Sequence, residues 1–343
     1  MRTVLVRQLL EHVPFSVVAT AAAHLLGAWV EAAPFAAAAG RIHVPDKVKV
    51  VFNGMPIEQP VSSLTGIAIP CLLGTGGRMP GKRMYEDIQG FFAGLEAQKK
   101  RVHPLKESFR KLAPPRADSP PSWFLEAAAL WRATASVDPG NTFLFSQLEP
   151  KGWDWLKPAE GQRCKERLQQ LCEGIAHPGT EEEVVLENAE SANSAYYGDF
   201  QCMLQGQLDL VTSSCVWELK CYSQRDLGED DRLQLAMYAY LWLCNENEPK
   251  QFKLLNVLSG QVLELVLTTV TADGSRAWVP ERCEAVRAVA RVLLENALLP
   301  QKAMGGSGVV SLHAEDRARF LGSGAGVASG GGGGGGSKRP RHG

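Results

Sequence analysis

Two carboxylates and a lysine interrupt what otherwise reads as a pair of core strands. In the stretch GQLDLVTSSCVWELKCYS, the charged residues Asp209, Glu218 and Lys220 stand among apolar neighbours. Because side chains alternate between the two faces of a strand, Glu218 and Lys220 project to the same side. The polar step Thr212-Ser213-Ser214 folds the chain back, so we expect Asp209 to lie near Glu218.

These three residue types together are suited to metal-assisted chemistry on phosphate. Two neighbouring carboxylates repel each other unless a cation joins them. Mg2+ binds one or two carboxylates and keeps its remaining positions for water and phosphate oxygens. Such an ion lowers the pKa of a coordinated water and neutralises charge that develops on the phosphate. Lys220 stands where a lysine can orient the attacking water or help to deprotonate it.

The next helix adds a third element to this pattern. The segment DDRLQLAMYAYLWLC has helical spacing of its apolar residues, and Gln234 and Tyr238 give it a QxxxY motif. A GxxD strand from Gly206 to Asp209, the ExK strand and this helix together resemble the PD-(D/E)XK nuclease superfamily, in its RecB-like exonuclease branch. The similar region covers roughly residues 158–270, about a third of the chain.

The resemblance implies roles for individual residues. It implies metal coordination, of Mg2+ or Mn2+, by the Asp209 and Glu218 carboxylates, the Leu219 carbonyl and the Glu187 side chain. It also implies that Lys220 is the catalytic lysine and that Gln234 positions the water or the scissile phosphate.

Two of the implied roles have alternatives within the sequence. Tyr238 would lie alongside the nucleic acid, although its spacing also suits a core residue. Glu187 stands in a run rich in glutamates, so it also fits a surface charge. Both alternatives stay open at the level of sequence.

The implied fold is α/β, a restriction-endonuclease-like core with a central mixed β-sheet flanked by helices. The implied activity is a metal-dependent deoxyribonuclease, an exonuclease rather than an endonuclease, with DNA and other DNA-processing proteins as partners. The alternative function is a catalytically inactive nuclease-fold protein that binds nucleic acid or acts as a scaffold. We expect no iron–sulfur cluster, because the cysteines of this region lie within or beside core elements and do not flank the domain. They are Cys202, Cys215, Cys221 and Cys244.

The order of predicted elements agrees with this fold class. A helix over residues 158–175 precedes three strand-like runs, near 182–190, 202–211 and 215–222. The QxxxY helix follows, then a hairpin around Ser259-Gly260, and a last helix over residues 280–299. Strands that alternate with helices in this way predict a mixed sheet.

Three regions are predicted along the chain. Residues 1–117 form an Ala-rich, helical N-terminal region of unknown role, residues 118–303 form the nuclease-like domain, and residues 304–343 form a Gly-rich disordered tail. The basic run with Lys99, Lys100 and Arg101 is a candidate for substrate contact, although a solvated face or hinge is the better explanation because no aromatic residues interleave with it. The basic cluster from Lys338 to Arg341 fits a nuclear import signal, and it fits a merely solubilising end of the chain as well.

Composition limits the remaining options. The 343-residue chain has a net charge of -1, so its overall charge gives no indication of a nucleic-acid partner. Its eight scattered cysteines, without a CxxC pair, are typical of an intracellular protein. The apolar run from Val13 to Val30 is compatible with buried Ala-rich helices or a mitochondrial or plastid transit segment; we expect no membrane span. Gly76 to Lys82 fits the start of a P-loop, but Pro80 and the following Arg83 favour a flexible basic loop.

Overall fold

The computed structural model describes residues 2–32, 40–73, 80–97, 104–135, 139–171, 185–188 and 202–298. Within these ranges the chain forms twelve strands and ten α-helices. The strands are β1 (Arg2–Leu5), β2 (Trp29–Ala32), β3 (Lys47–Phe52), β4 (Met55–Pro60), β5 (Val185–Asn188), β6 (Cys202–Gln207), β7 (Leu210–Val211), β8 (Cys215–Lys220), β9 (Gln251–Asn256), β10 (Val262–Leu265), β11 (Thr268–Val270) and β12 (Arg276–Trp278). The helices are α1 (Val6–His12), α2 (Phe15–His24), α3 (Ser62–Cys71), α4 (Pro80–Ala97), α5 (Lys106–Lys111), α6 (Pro121–Ala135), α7 (Pro139–Leu148), α8 (Pro158–Leu171), α9 (Glu229–Cys244) and α10 (Pro280–Leu298). In these parts of the chain, no helix is both long enough and apolar enough to span a membrane.

A central sheet of five strands has the order β2-β10-β9-β8-β7. β8 and β9 run parallel, whereas the other neighbouring pairs are antiparallel. A parallel pair needs a long crossover connection, and α9 provides it between β8 and β9. The mixed sheet that the element order predicts is therefore confirmed.

A second sheet has three strands in the order β1-β6-β5. Only Leu208 and Asp209 separate β6 from β7, so one stretch of chain passes from this sheet into the central one. Asp209 consequently lies at the junction between the two sheets.

Helices cover the central sheet on both faces. Trp217 and Leu219 face a core that includes residues of α3, α4, α6 and α8. Val216 and Leu254 face a second core, built with residues of α1, α2, α9 and α10. This arrangement of a sheet between two helical layers confirms the α/β class.

The N-terminal region contains helices α1 to α5, but it also contributes strands to both sheets, which the prediction did not include. β1 pairs in parallel with β6, and β2 pairs antiparallel with β10, so both pairings cross the boundary predicted near residue 117. The apolar run from Val13 to Val30 is split, since α2 ends at His24 and β2 begins at Trp29. Strand formation in this run depends on pairing with a distant segment, which local composition does not reveal.

Several other elements agree with their sequence patterns. The QxxxY helix is α9, the last helix is α10, and the predicted hairpin is the antiparallel pair β9–β10. Gly260 in its turn has φ +79°, a left-handed conformation that favours glycine. The helix predicted over 158–175 is observed to Leu171, and the last four residues of that prediction lie outside the described part of the chain.

Candidate functional site

Strand β8 presents Glu218 and Lys220 to the face of the sheet that α9 covers. Trp217 and Leu219, which alternate with them, lie in the core on the opposite face. The alternation in this strand therefore separates the two charged side chains from the two large apolar ones, as predicted.

Asp209 lies beside Glu218 at the edge of β8. β7 and β8 pair with Leu210 opposite Trp217, so Asp209, the residue just before β7, comes next to Glu218 on β8. The Asp209 Oδ2 atom accepts a hydrogen bond from the backbone N–H of Leu219 at 2.7 Å. The carboxylate thus takes the place of a ladder partner just before β7 begins.

The Glu218 carboxyl is buried, with 3% of the residue exposed. Its Oε1 atom accepts a hydrogen bond from Lys220 Nζ at 2.8 Å. No donor among the described residues bonds to its other oxygen, Oε2. Burial, and secondarily the charge of Asp209, raise the pKa of Glu218 to about 8.

Lys220 is held between two oxygen acceptors. Its Nζ atom donates to Glu218 Oε1 and also to Gln234 Oε1, at 2.7 Å. Burial by itself lowers the pKa of Lys220, but the charges of Glu218 and Asp209 together outweigh it, so the pKa lies above its ordinary value. The ammonium therefore stays protonated at neutral pH and acts as a hydrogen-bond donor.

Gln234 and Tyr238 lie one turn apart on the face of α9 that meets β8. Gln234 Nε2 donates to the Tyr238 hydroxyl at 2.8 Å. Because Tyr238 is only 4% exposed, its ring belongs to the core and does not offer a surface to nucleic acid in this structure. Of the two interpretations open at the level of sequence, this burial favours the core residue, and Tyr238 supports Gln234 through its hydroxyl.

Gly206 explains how α9 comes so close to the strands. A Cβ atom at this position would lie 2.8 Å from atoms of the Tyr238 and Leu241 side chains. A side chain there would push the helix or these two residues away from β6. The first residue of the GxxD motif is therefore a packing requirement that positions Gln234 indirectly.

Asp231 and Tyr222 complete the site, although neither belongs to the motifs found in the sequence. The Tyr222 hydroxyl donates to Asp231 Oδ1 at 2.6 Å, and the same oxygen lies 3.9 Å from Lys220 Nζ. Asp231 also caps α9, since its Oδ2 accepts a hydrogen bond from the Gly228 N–H. A usable signal was its spacing, because Asp231 stands three residues before Gln234 on the same helix face.

The oxygen atoms of this site fit a small divalent cation. Asp209 and Glu218 provide two carboxylates, one with a buried oxygen that has no hydrogen-bond partner in the described structure. The Lys220 carbonyl accepts a hydrogen bond from the Val257 N–H on the β9 side. Carbonyls alternate in direction along a strand, so the Leu219 carbonyl points to the opposite side, where Asp209 lies. Two carboxylates and a carbonyl are a ligand set that suits Mg2+, with water and phosphate oxygens as further ligands.

Across the described ranges, no group of three or more His, Cys, Asp and Glu side chains is arranged to hold a metal. Glu187 lies in β5 opposite Gln205, and its side chain lies outside the described part of the structure.

Other predicted features fall outside the description or lie within the core. Lys99, Lys100 and Arg101 lie outside the described residues, as do residues 76–79 of the P-loop-like stretch and the tail with its basic cluster. The rest of that stretch, from Pro80, forms the start of α4, which corrects the prediction of a loop there. Cys215 and Cys221 are buried, and burial raises the pKa of each thiol, so both behave as apolar core residues.

Comparison of the chain with protein-family models, curated proteins and solved structures gives no match.

Proposed function

We propose that this protein is a Mg2+-dependent nuclease that hydrolyses phosphodiester bonds of DNA at the Asp209–Glu218–Lys220 site. The observation that carries the proposal is the buried Glu218 carboxyl, which has one oxygen bound to Lys220 and the other without a protein donor. A second carboxylate beside it adds repulsion. A divalent cation bound there would replace the proton that Glu218 holds at neutral pH and would contact its second oxygen, so the arrangement is best explained as a cation site.

The chain's own residues supply binding and orientation. The two carboxylates and the Leu219 carbonyl would hold Mg2+ or Mn2+. When bound, that ion neutralises charge on the phosphate and lowers the pKa of a coordinated water. Lys220 remains a cation and donates to the attacking water or to a phosphate oxygen, while Gln234 holds the ammonium in place.

The connectivity around the site supports the same proposal. β5, the continuous β6–β7 segment and β8 precede α9, and β9 returns parallel to β8. This is the succession expected of a restriction-endonuclease-like core, with the acidic motif on adjoining strands and QxxxY on the crossover helix. Exonuclease action, rather than endonuclease action, rests on the family resemblance alone.

Cleavage of labelled DNA tests the proposal. We expect the wild type to degrade linear single- or double-stranded DNA with Mg2+ or Mn2+, to be inactive in EDTA, and to spare circular DNA. D209N, E218Q and K220M should each lose at least about a hundredfold in rate, since each removes a group placed at the reacting phosphate. D154N is the matched control, because Asp154 is an exposed carboxylate paired with Lys157 outside the site.

The outcomes separate the proposal from its alternatives. Cleavage of circular DNA would replace exonuclease with endonuclease action, and degradation of RNA alone would change the substrate class. If the wild type binds DNA but cuts under none of these conditions, the non-catalytic binding module is correct. If D209N and K220M cut as fast as D154N, the site assignment is wrong.

A further inference from the structure

The loop between β8 and α9 carries an arginine at the entrance to the candidate site. The Arg225 guanidinium lies over the Tyr222 ring, 3.7 Å from its centroid. Its side chain is 56% exposed and lies 3.8 Å from Asp231 Oδ2. An aromatic face on one side and a carboxylate at the edge hold the guanidinium in a defined orientation while leaving much of it in solvent.

Asp231 connects this arginine with Lys220. One carboxylate oxygen of Asp231 lies 3.9 Å from Lys220 Nζ, and the other faces Arg225. Two contacts on a single carboxylate place the guanidinium within about 10 Å of the Lys220 ammonium. Phosphates follow one another about every 3.4 Å along the axis of each DNA strand. Arg225 is therefore within reach of a phosphate one to three nucleotides from the one that Lys220 faces.

The charge of Arg225 is only partly compensated by the protein. Asp231 already accepts hydrogen bonds from the Tyr222 hydroxyl and the Gly228 N–H, and it also lies near Lys220. An ion pair at 3.8 Å with a half-exposed arginine is weak. A guanidinium held in this way can form a bidentate interaction with a phosphate without first breaking a strong contact.

We propose that Arg225 binds a backbone phosphate of the DNA strand one to three nucleotides from the scissile one, with Tyr222 and Asp231 as the residues that position it. This inference rests on the proposed function and adds the means by which the site holds the strand in register. It assigns to the loop a sequence-independent contact, because phosphates carry no base information.

Salt dependence of DNA binding tests the inference. Affinity for a labelled 20-nucleotide single strand and for its duplex is measured in EDTA at 50–200 mM NaCl, in a D209N background that prevents cleavage. R225Q should weaken binding about tenfold at low salt, the loss of one charge-assisted interaction. It should also lower the slope of log K against log[NaCl] by about 0.7–0.9, equivalent to one phosphate contact. Between 50 and 200 mM NaCl, the D209N protein should therefore lose about threefold more affinity than the D209N/R225Q protein.

Two further variants separate a phosphate contact from a merely structural role. R225K should keep the salt slope of the D209N protein, because lysine also neutralises one phosphate. R287Q is the matched control, since Arg287 has the same 3.8 Å separation from a carboxylate, that of Glu284 on α10. In the native background with Mg2+, R225Q should raise KM about tenfold and leave kcat within about twofold.

Each result supports or overturns the inference. An unchanged salt slope in R225Q, or an equal change in R287Q, refutes the phosphate contact even if the wild type cleaves DNA. A fall in kcat at constant KM shows that Arg225 acts only on the structure of the site. If neither the wild type nor the D209N protein binds DNA, the proposed function fails, and this inference fails with it.

Discussion

Binding of Mg2+ at the Asp209–Glu218 pair should release nearly one proton at neutral pH. A metal ion binds the carboxylate form, so a protonated ligand must first lose its proton. With a pKa of about 8, Glu218 is about 90% protonated at pH 7 and about 10% protonated at pH 9. We therefore expect about 0.9 proton released per ion at pH 7 and about 0.1 at pH 9.

The same linkage sets the pH dependence of the dissociation constant. The fraction of Glu218 that is ready to bind rises about tenfold between pH 6 and 7 and about fivefold between pH 7 and 8. Above pH 8 the remaining gain is less than about twofold. The Mg2+ dissociation constant should fall by these factors, because the competing proton is progressively removed.

Calorimetric titration with MgCl2 measures both quantities. At each pH the binding enthalpy is recorded in two buffers that differ in ionisation enthalpy, and the difference gives the number of protons released. D154N should behave like the wild type, and E218Q should show neither proton release nor tight binding. A binding enthalpy that is equal in both buffers at pH 7, or a proton count that stays the same at pH 9, would refute the reasoning.

Three further predictions concern stability. Without Mg2+, the unfolding free energy of the wild type should fall by several kcal/mol between about pH 5 and 8 relative to E218Q, as measured by urea denaturation. The reason is that the Glu218 pKa is raised from 4.5 to about 8 in the folded state, so the stabilising proton is present below the lower value and lost through the higher one. G206A should lower the unfolding free energy by about 1–3 kcal/mol and reduce cleavage, because its Cβ would collide with Tyr238. The control is G94A: an added Cβ on this part of α4 meets no other atom, so the unfolding free energy should stay the same or rise. R167M should lower the unfolding free energy by about 2–4 kcal/mol in the same assay. The buried Arg167 guanidinium donates to the backbone carbonyls of Val257 and Gly40, and methionine has no donor to replace it. A decrease below about 1 kcal/mol would contradict this prediction.

Much of the site was accessible from the sequence because local periodicity determines it. A strand places residues two apart on the same face, which predicts that Glu218 and Lys220 lie together. The short turn before β8 predicts that Asp209 lies beside them. Helical spacing likewise placed Gln234 and Tyr238 on one side of α9. These statements need only the conformation of a few consecutive residues.

Long-range packing decided what spacing could not show. Whether Tyr238 faces solvent or core depends on how closely α9 approaches β6, and that distance follows from the contact between the helix and Gly206. Asp231 reads as an ordinary acidic residue at a helix start until the fold brings Lys220 and Tyr222 to it.

The sequence by itself therefore determined the motif residues, their shared faces and the α/β class. The tertiary structure alone decided that β1 and β2 join the two sheets, and that Glu218 is buried with one oxygen lacking a protein donor. The physical reason is that strand pairing and desolvation depend on segments far apart in the chain. Local residue patterns carry no information about which distant segments meet.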